Sequence, residues 1–155
     1  MKGWAAVAGE RILVVDDEPA NLRLMVLVLR SRGYEVVTAD DAEVATHVLE
    51  ASPVDLLILD LGLPGVDGLA LTRRLRADER WRSLPIVAWT GYAMASDEAR
   101  ARAAGCDDFL PKPVDIGQIP VVVARNLRSG APGAGAPGAG APGPSAGDPP
   151  AGTGG

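Results

Sequence analysis

Three short apolar runs, each ending at a polar side chain, constrain the fold of this chain more than any other feature of its sequence. Each run is four residues long and consists mainly of aliphatic side chains. The runs are ILVV at 12–15 before Asp16 and Asp17, LLIL at 56–59 before Asp60, and IVAW at 86–89 before Thr90. Such runs are typical of strands that are buried on both faces, as in a parallel sheet covered by helices.

Two weaker strand patterns and five helical patterns account for the rest of the folded region. Residues 34–38 include Glu35 and favour a strand at the edge of the sheet, and residues 108–111 are a brief fifth candidate. Apolar side chains recur at helical spacing in the remaining segments. The predicted helices are 20–32, 42–51, 67–78, 96–104 and 115–128. The last helix should begin near Gly117, because Pro120 is compatible only with a first turn.

The alternation of strands and helices predicts an α/β domain that is doubly wound around a five-stranded parallel sheet. Right-handed crossovers place the carboxyl ends of all strands at one edge of the sheet, where ligands of such folds bind. The polar side chains at this edge would be Asp16, Asp17, Asp60 and Thr90, with Lys112 in the loop after the fifth strand. We therefore expect the functional site among these five residues.

The chemistry of these side chains indicates a metal and a phosphoryl group. Carboxylates that lie close together repel one another, and a hard divalent cation relieves that repulsion. A site with few carboxylates, bound waters and a phosphate suits Mg²⁺. The lysine and the metal would neutralise phosphoryl oxygens, and the threonine hydroxyl would donate to another oxygen. A carboxylate can itself be the nucleophile and form an aspartyl phosphate.

Composition divides the chain into an extension, a domain and a tail. Residues 1–10 are predicted as an N-terminal extension and residues 11–128 as the domain. Residues 129–155 are mostly Gly, Ala and Pro and are predicted to be a disordered tail, because they lack large apolar side chains to bury. The net charge of −5 argues against a nucleic-acid partner, and no apolar run is long enough to span a membrane. We expect a cytoplasmic protein.

Four motifs resemble those of one known family. They are ILVVDDEP, DLLILDLGLPGVDG, PIVAWTGYA and AGCDDFLPKPVD, in the family's order and with family-like spacing. Residues 11–128 therefore resemble a response-regulator receiver domain, the CheY-like family of two-component signalling. The resemblance implies a flavodoxin-like sheet with the strand order 2-1-3-4-5. It also implies a signalling switch that catalyses only its own phosphorylation and dephosphorylation and turns over no metabolite.

The resemblance assigns a role to each residue of the acidic site. Asp60 would be the phosphoacceptor. Asp17 would bind Mg²⁺ directly, Asp16 would bind it largely through water, and Asp60 and the backbone carbonyl of Gly62 would be further ligands. The implied cofactor is Mg²⁺ alone.

The resemblance also assigns the phosphate contacts and the switch. Thr90 and the Gly91 amide would hold phosphoryl oxygens, and Lys112 would pair with another. Thr90 would move toward the phosphate while Phe109, the only phenylalanine, turns inward. Packing in the core remains the alternative role for Phe109. In the family the peptide bond corresponding to Lys112–Pro113 is usually cis.

The implied partners are a histidine kinase or a histidine phosphotransfer protein, and a downstream protein target. The chain would be a monomer or a weak dimer with no output domain of its own. Asn21, Leu24 and Val28 lie together on the first predicted helix, which docks the histidine-bearing partner in the family. Exposed apolar side chains there suit helix-on-helix contact, but ordinary packing is an alternative.

Two other functions remain open at this point. A receiver-like chain could bind partners without phosphorylation. A phosphatase could work through an aspartyl phosphate, but its usual pair of acids two residues apart on the first strand is missing. Three further residues have simpler interpretations: His47 as a surface residue, Cys106 as a small half-buried residue, and Trp89 as part of the core.

Overall fold

Five parallel strands and five helices alternate along the chain, of which the computed structural model describes residues 9–62, 68–91 and 95–130. The strands are β1 (Arg11–Val15), β2 (Glu35–Ala39), β3 (Leu56–Asp60), β4 (Ile86–Thr90) and β5 (Asp108–Pro111). They form one sheet in the order β2-β1-β3-β4-β5, which confirms the order that the resemblance implied. The predicted edge strand, β2, lies at one edge of the sheet.

The helices are α1 (Pro19–Arg30), α2 (Ala42–Ala51), α3 (Gly68–Arg76), α4 (Ala95–Ala104) and α5 (Gln118–Gly130). Helix α5 continues through Gly130, so it includes two residues that the sequence analysis assigned to the tail. It begins one residue after Gly117, and Pro120 lies in its first turn. The remaining predicted tail and the first eight residues of the chain lie outside the described residues.

Local sequence determines where several of these helices begin and end. Pro19 occupies the first position of α1, where its missing N–H removes no helical hydrogen bond. The side chain of Asp41 caps α2 by accepting a 2.8 Å hydrogen bond from the amide of Val44. Gly33 follows α1 with φ of 90°, a conformation that glycine adopts without steric cost.

The sheet separates two hydrophobic clusters, as expected for strands that are buried on both faces. Successive side chains of a strand point to opposite faces, so Leu13 and Val15 join one cluster while Ile12 and Val14 join the other. Helices α2, α3 and α4 cover the first face, and α1 and α5 cover the second. The helical residues of the first cluster are Ala42, Ala45, Leu49, Leu71, Leu75 and Ala101, and those of the second are Met25, Leu29, Ile119, Val122 and Val123.

Not every large apolar side chain of the helices faces the sheet. Val44 of α2 is 41% exposed, and Val121 of α5 is 51% exposed. The buried stripe of α2 is Ala42, Ala45 and Leu49, at spacings of three and four residues. A run of adjacent valines does not determine which of them faces the sheet, because neighbours on a helix are about 100° apart.

The parallel register aligns the carboxyl ends of the central strands. Val15 of β1 pairs with Leu59 of β3, and Asp60 pairs with Trp89 of β4. Thr90 in turn pairs with Pro111 of β5. The residues that end these strands therefore meet at one edge of the sheet. Among the described residues, no helix combines the length and apolarity that crossing a membrane requires.

Candidate functional site

The polar side chains that were predicted to meet at one sheet edge do meet there. Asp16 and Asp17 directly follow β1, Asp60 is the last residue of β3, Thr90 is the last of β4, and Lys112 directly follows β5. The five side chains thus come from the ends of four different strands or from the residues just after them. The site depends on the sheet rather than on any local motif.

Three carboxylates form a compact cluster at this edge. Asp16, Asp17 and Asp60 each offer one carboxylate oxygen, and these oxygens lie within 4.8 Å of one another. Their environments differ: Asp16 is fully buried, Asp60 is buried and Asp17 is exposed. One carboxylate is therefore open to solvent while the other two line the floor of the site.

Lys112 supplies the cation of the cluster. Its Nζ lies 2.9 Å from Oδ2 of Asp16 and 3.3 Å from Oδ2 of Asp60. The side chain of Lys112 is 24% exposed. Burial opposes the ammonium charge, but the hydrogen bonds and charges of the two aspartates outweigh it and raise the pKa of Lys112. The lysine is therefore fully protonated at neutral pH.

The burial of Asp16 is compensated by hydrogen bonds to both of its oxygens. Oδ1 accepts from the backbone amide of Glu18 at 2.8 Å, and Oδ2 accepts from Nδ2 of Asn21 at 3.1 Å as well as from Lys112. Asn21 was predicted only as a partner contact, and the structure instead places its amide on the acidic cluster. Its position in the first turn of α1, five residues after Asp16, is the signal that could have indicated this role.

The surroundings of Asp60 favour its protonated form. Its Oδ1 accepts a 2.9 Å hydrogen bond from the amide of Gly62. Burial raises the pKa of Asp60, the Gly62 amide and Lys112 lower it, and the charge of Asp16 raises it again, with a net increase above 3.8. Removing the lysine would therefore make the carboxylate harder to ionise.

Close packing fixes the backbone beside Asp60. The amide of Gly68, at the start of α3, donates to the carbonyl of Leu61 at 3.3 Å. A Cβ on Gly68 would lie 2.7 Å from the carbonyl oxygen of Asp60, so only glycine fits there without a shift. Helix α3 thus begins directly against the end of β3.

Thr90 and Gly91 lie at the end of β4, next to the loop that carries Lys112. Thr90 is buried at the end of β4, and its carbonyl accepts from the backbone amide of Lys112 at 2.8 Å. Gly91 is exposed beside the loop that carries Lys112. The Lys112–Pro113 peptide bond is cis, as the resemblance implied.

Two aromatic residues lie near the site in different settings. Phe109 of β5 is half-buried against the first cluster, and the guanidinium of Arg102 lies 4.6 Å from its ring centroid. Trp89 is 1% exposed within the second cluster, which confirms its predicted place in the core. The ammonium of Lys112 also lies 4.8 Å from the Trp89 ring centroid, a contact that the sequence analysis missed.

The outward face of α1 differs from the sequence interpretation. Leu24 and Val28 were expected to be exposed, but both are half-buried, and Val28 packs against the second cluster. The exposed large apolar residue of this helix is Leu27, at 70%. Because Leu24 and Val28 are half-buried, their exposure gives little support to a partner contact through them.

His47 and Cys106, which the sequence indicated to be structural residues, lie outside the acidic cluster. His47 is exposed on α2, as predicted. Cys106 is only 5% exposed, so it is buried rather than half-buried, and its Sγ lies 3.8 Å from Oγ1 of Thr72. Burial raises the pKa of the Cys106 thiol, which makes it a poor nucleophile.

The cluster fits a small, hard divalent cation. Carboxylate oxygens are the ligands that Mg²⁺ prefers, and an exposed carboxylate next to two buried ones leaves room for the bound waters that this ion keeps. Burial of two adjacent carboxylates carries an electrostatic cost that Lys112 offsets only in part. The residues present therefore suit Mg²⁺ at Asp16, Asp17 and Asp60.

Comparisons with family models and with individual proteins point to the same family. Residues 12–124 match the family described as the response regulator receiver domain. The chain is similar to the polar-differentiation response regulator DivK of Brucella ovis, with 32% identity over 105 residues that cover 68% of this chain and 85% of that protein.

Receiver segments of sensor kinases are also similar. The sensor protein GacS of Pseudomonas syringae pv. syringae is 40% identical over 129 residues, a match that covers 79% of this chain but 14% of GacS. The receiver domain of the sensor histidine kinase PA1611 of Pseudomonas aeruginosa PAO1 is 35% identical, with a TM-score of 0.71 over 77% of this chain and 98% of that chain. That crystal structure contains a magnesium ion coordinated in the active site cleft.

Proposed function

The chain belongs to the response regulator receiver domain family of two-component signalling, and we propose that its Asp60 accepts a phosphoryl group from a phosphohistidine of a partner protein. The observation that carries this proposal is the geometry around Asp60. Its carboxylate lies within the acidic cluster, and the ammonium of Lys112 lies 3.3 Å from its Oδ2. Aspartyl phosphates form where a nucleophilic carboxylate has cations beside it.

The transfer would proceed by attack of a carboxylate oxygen of Asp60 on phosphorus. A new P–O bond forms, the P–N bond of the phosphohistidine breaks, and the leaving imidazole nitrogen keeps the electron pair and takes a proton. Hydrolysis reverses the state of the switch: water attacks phosphorus, the bond to Asp60 breaks, and inorganic phosphate leaves. The chain would thus catalyse only its own phosphorylation and dephosphorylation.

The residues around Asp60 would stabilise charge during this transfer. Lys112 would pair with one phosphoryl oxygen, and Thr90 and the amide of Gly91 would donate to others. Mg²⁺ would be held by Asp17, Asp16, Asp60 and the carbonyl of Gly62, and it would neutralise phosphoryl oxygens there. In phosphoryl transfer such positioning and electrostatic stabilisation account for most of the catalysis.

Thr90 would move toward the phosphate and Phe109 would turn inward, which would change the protein surface away from Asp60. A nearly complete two-state switch needs about 5.5 kcal/mol of differential stabilisation. Each charge-assisted hydrogen bond supplies roughly 1.5–3 kcal/mol, so contacts from Thr90 and Lys112 are together of the right size. Phe109 is half-buried beside Arg102, a setting from which its ring could turn inward.

The proposed phosphodonor is a histidine kinase or a histidine phosphotransfer protein in the cytoplasm. The similarity to the receiver segment of the sensor protein GacS and to the response regulator DivK supports a donor of this kind. The output would be a contact with another protein made by a monomer or weak dimer.

The test is to label the protein with a small acyl phosphate in the presence of Mg²⁺. We expect one acid-stable, base-labile phosphate per chain, which Asp60→Asn abolishes. Asp40→Asn is the matched control, because Asp40 is an exposed aspartate directly after β2 at the same edge. Absence of label on the unaltered protein would favour a receiver that binds partners without phosphorylation. Steady turnover of a phosphoester would favour a phosphatase.

A further inference from the structure

Trp89 has a feature that core packing does not explain. It is 1% exposed in the cluster that α1 and α5 cover, and its Nε1 is buried with no hydrogen-bond partner among the described residues. A buried N–H that loses its hydrogen bond to water without replacement destabilises the folded state. Leucine or phenylalanine would fill a core position without an unpaired donor. Packing alone therefore does not favour tryptophan here.

The ring of Trp89 makes one contact that an aliphatic side chain cannot make. The ammonium of Lys112 lies over the ring, 4.8 Å from its centroid. A cation within about 6 Å of an aromatic centroid is attracted by the electrons of the ring face, and the attraction is strongest for tryptophan. The contact thus gives a physical reason for tryptophan in particular.

Lys112 is therefore held from more than one side. The carboxylates of Asp16 and Asp60 lie 2.9 and 3.3 Å from its Nζ, and the indole ring faces the same ammonium. Oxygen contacts alone would let a flexible four-carbon stem reach its partners in several conformations. The ring is part of the rigid core, so it restricts where the ammonium can lie.

We propose that Trp89 is a positioning residue: its indole ring holds the ammonium of Lys112 beside Asp60, ready to pair with an incoming phosphoryl oxygen. The use of that position in phosphoryl transfer rests on the proposed function, whereas the ring contact itself does not. Trp89 follows Ala88 and precedes Thr90 on β4, so one strand end supplies both a phosphate contact and the support for the lysine.

The sequence offers a direct way to observe this contact. The chain has only two lysines, Lys2 and Lys112, so a lysine-labelled protein gives two sets of NMR signals, and Lys2→Arg assigns them. Protons above an aromatic face resonate upfield. We expect upfield-shifted Hε signals for Lys112, retained in Trp89→Phe and lost in Trp89→Leu. Unchanged Lys112 shifts in Trp89→Leu would overturn the proposal.

A control separates positioning from general loss of core packing. Leu29→Ala removes buried volume from the same cluster, near the far end of α1 from the site. It should destabilise the protein but leave the Lys112 shifts and the initial rate of Asp60 labelling close to the unaltered values. Trp89→Leu should lower that rate several-fold, with Trp89→Phe in between. An equal loss of rate in Leu29→Ala and Trp89→Leu would show that only stability matters and would overturn the positioning role.

The two measurements also separate this proposal from the proposed function. The NMR comparison uses the unphosphorylated protein, so it tests the ring contact whether or not Asp60 accepts phosphate. Loss of the upfield shift in Trp89→Leu together with absence of any label would support the contact and contradict the phosphoacceptor role. Normal labelling in both Trp89 variants would contradict the positioning role alone.

Discussion

At the scale of single residues, Lys112 is the group on which the site's charge balance depends. It offsets the charge of two buried carboxylates, and its primary ammonium is compact enough to contact both. A guanidinium carries the same charge on a larger, planar group whose donors have a fixed geometry. Arginine is the commoner basic residue elsewhere in this chain, so its absence at this position is chemically informative.

Lys112→Arg should therefore keep the fold and lose most of the switching. Loss of one charge-assisted hydrogen bond of roughly 1.5–3 kcal/mol corresponds to a change of roughly 10- to 150-fold in the switch equilibrium. The measurement is the fraction of phosphorylated protein in the active conformation, followed by the NMR signals of Thr90. Lys2→Arg serves as the control. Full switching in Lys112→Arg would contradict the requirement for a compact cation.

At the scale of elements, Asp108 joins the start of β5 to α5. Its carboxylate accepts from Nδ2 of Asn126 at 2.8 Å, from the Arg125 guanidinium at 2.7 Å, and from the Phe109 amide at 2.9 Å. Burial raises the pKa of Asp108, but these hydrogen bonds outweigh it and hold the pKa below 3.8. The ionised form therefore stabilises the packing of the last helix on the edge strand.

Asp108→Asn should lower the free energy of unfolding by about 1–3 kcal/mol at neutral pH, since hydrogen bonds to a charged group are lost. A depressed folded-state pKa contributes stability that is complete above the unfolded value of 3.8 and is lost as the pH falls through the folded value. Urea denaturation from pH 7 downward should show the gap between the two proteins closing below about pH 4.

Asp115→Asn is the control, since Asp115 is exposed, and the one hydrogen bond to its side chain within the described part of the chain comes from the Gly117 amide at 3.0 Å. It should show little change at any pH. A gap between the unaltered protein and Asp108→Asn that stays constant into the acid range would contradict the role of the Asp108 charge.

The strands and the residues at their ends could be predicted from the sequence more fully than the buried faces of the helices. A four-residue apolar run that ends at Asp60 determines both a buried strand and the edge at which the aspartate lies, because a parallel sheet aligns the strand ends. The face of a helix depends on packing against neighbours, which sequence spacing does not specify. The exposure of Val121 follows from such packing, and the contact of Trp89 with Lys112 joins residues that lie far apart in the sequence.

At the scale of the whole molecule, the reactivity of the Cys106 thiol can be used to measure unfolding. It is the only cysteine, it is buried, and burial raises its pKa. Gly105 precedes it with φ of 118°, and a Cβ there would lie 2.5 Å from Cγ of Arg76. The thiol should therefore react with an alkylating reagent mainly through opened or unfolded chains.

Gly105→Ala should speed alkylation of Cys106. Backbone strain and the contact with Arg76 should cost about 1–2 kcal/mol, which raises the unfolded fraction roughly 5- to 30-fold. The measurement is the rate of alkylation at pH 8 without denaturant. Ser52→Ala, at the end of α2, is a control that should leave the rate nearly unchanged. Equal rates for the unaltered protein and Gly105→Ala would show that the thiol reacts without such opening.

The site joins residues that lie 96 positions apart in the sequence, Asp16 and Lys112. During synthesis the amino-terminal part of a chain leaves the ribosome first. A nascent chain that ends before β5 would contain every acidic group of the site but not the cation that balances them. Such a chain, or one cut by a protease between β4 and β5, could not offer a charge-balanced pocket to a phosphodonor. Fragments that lack β5 would therefore be poor acceptors in the proposed phosphorylation of Asp60.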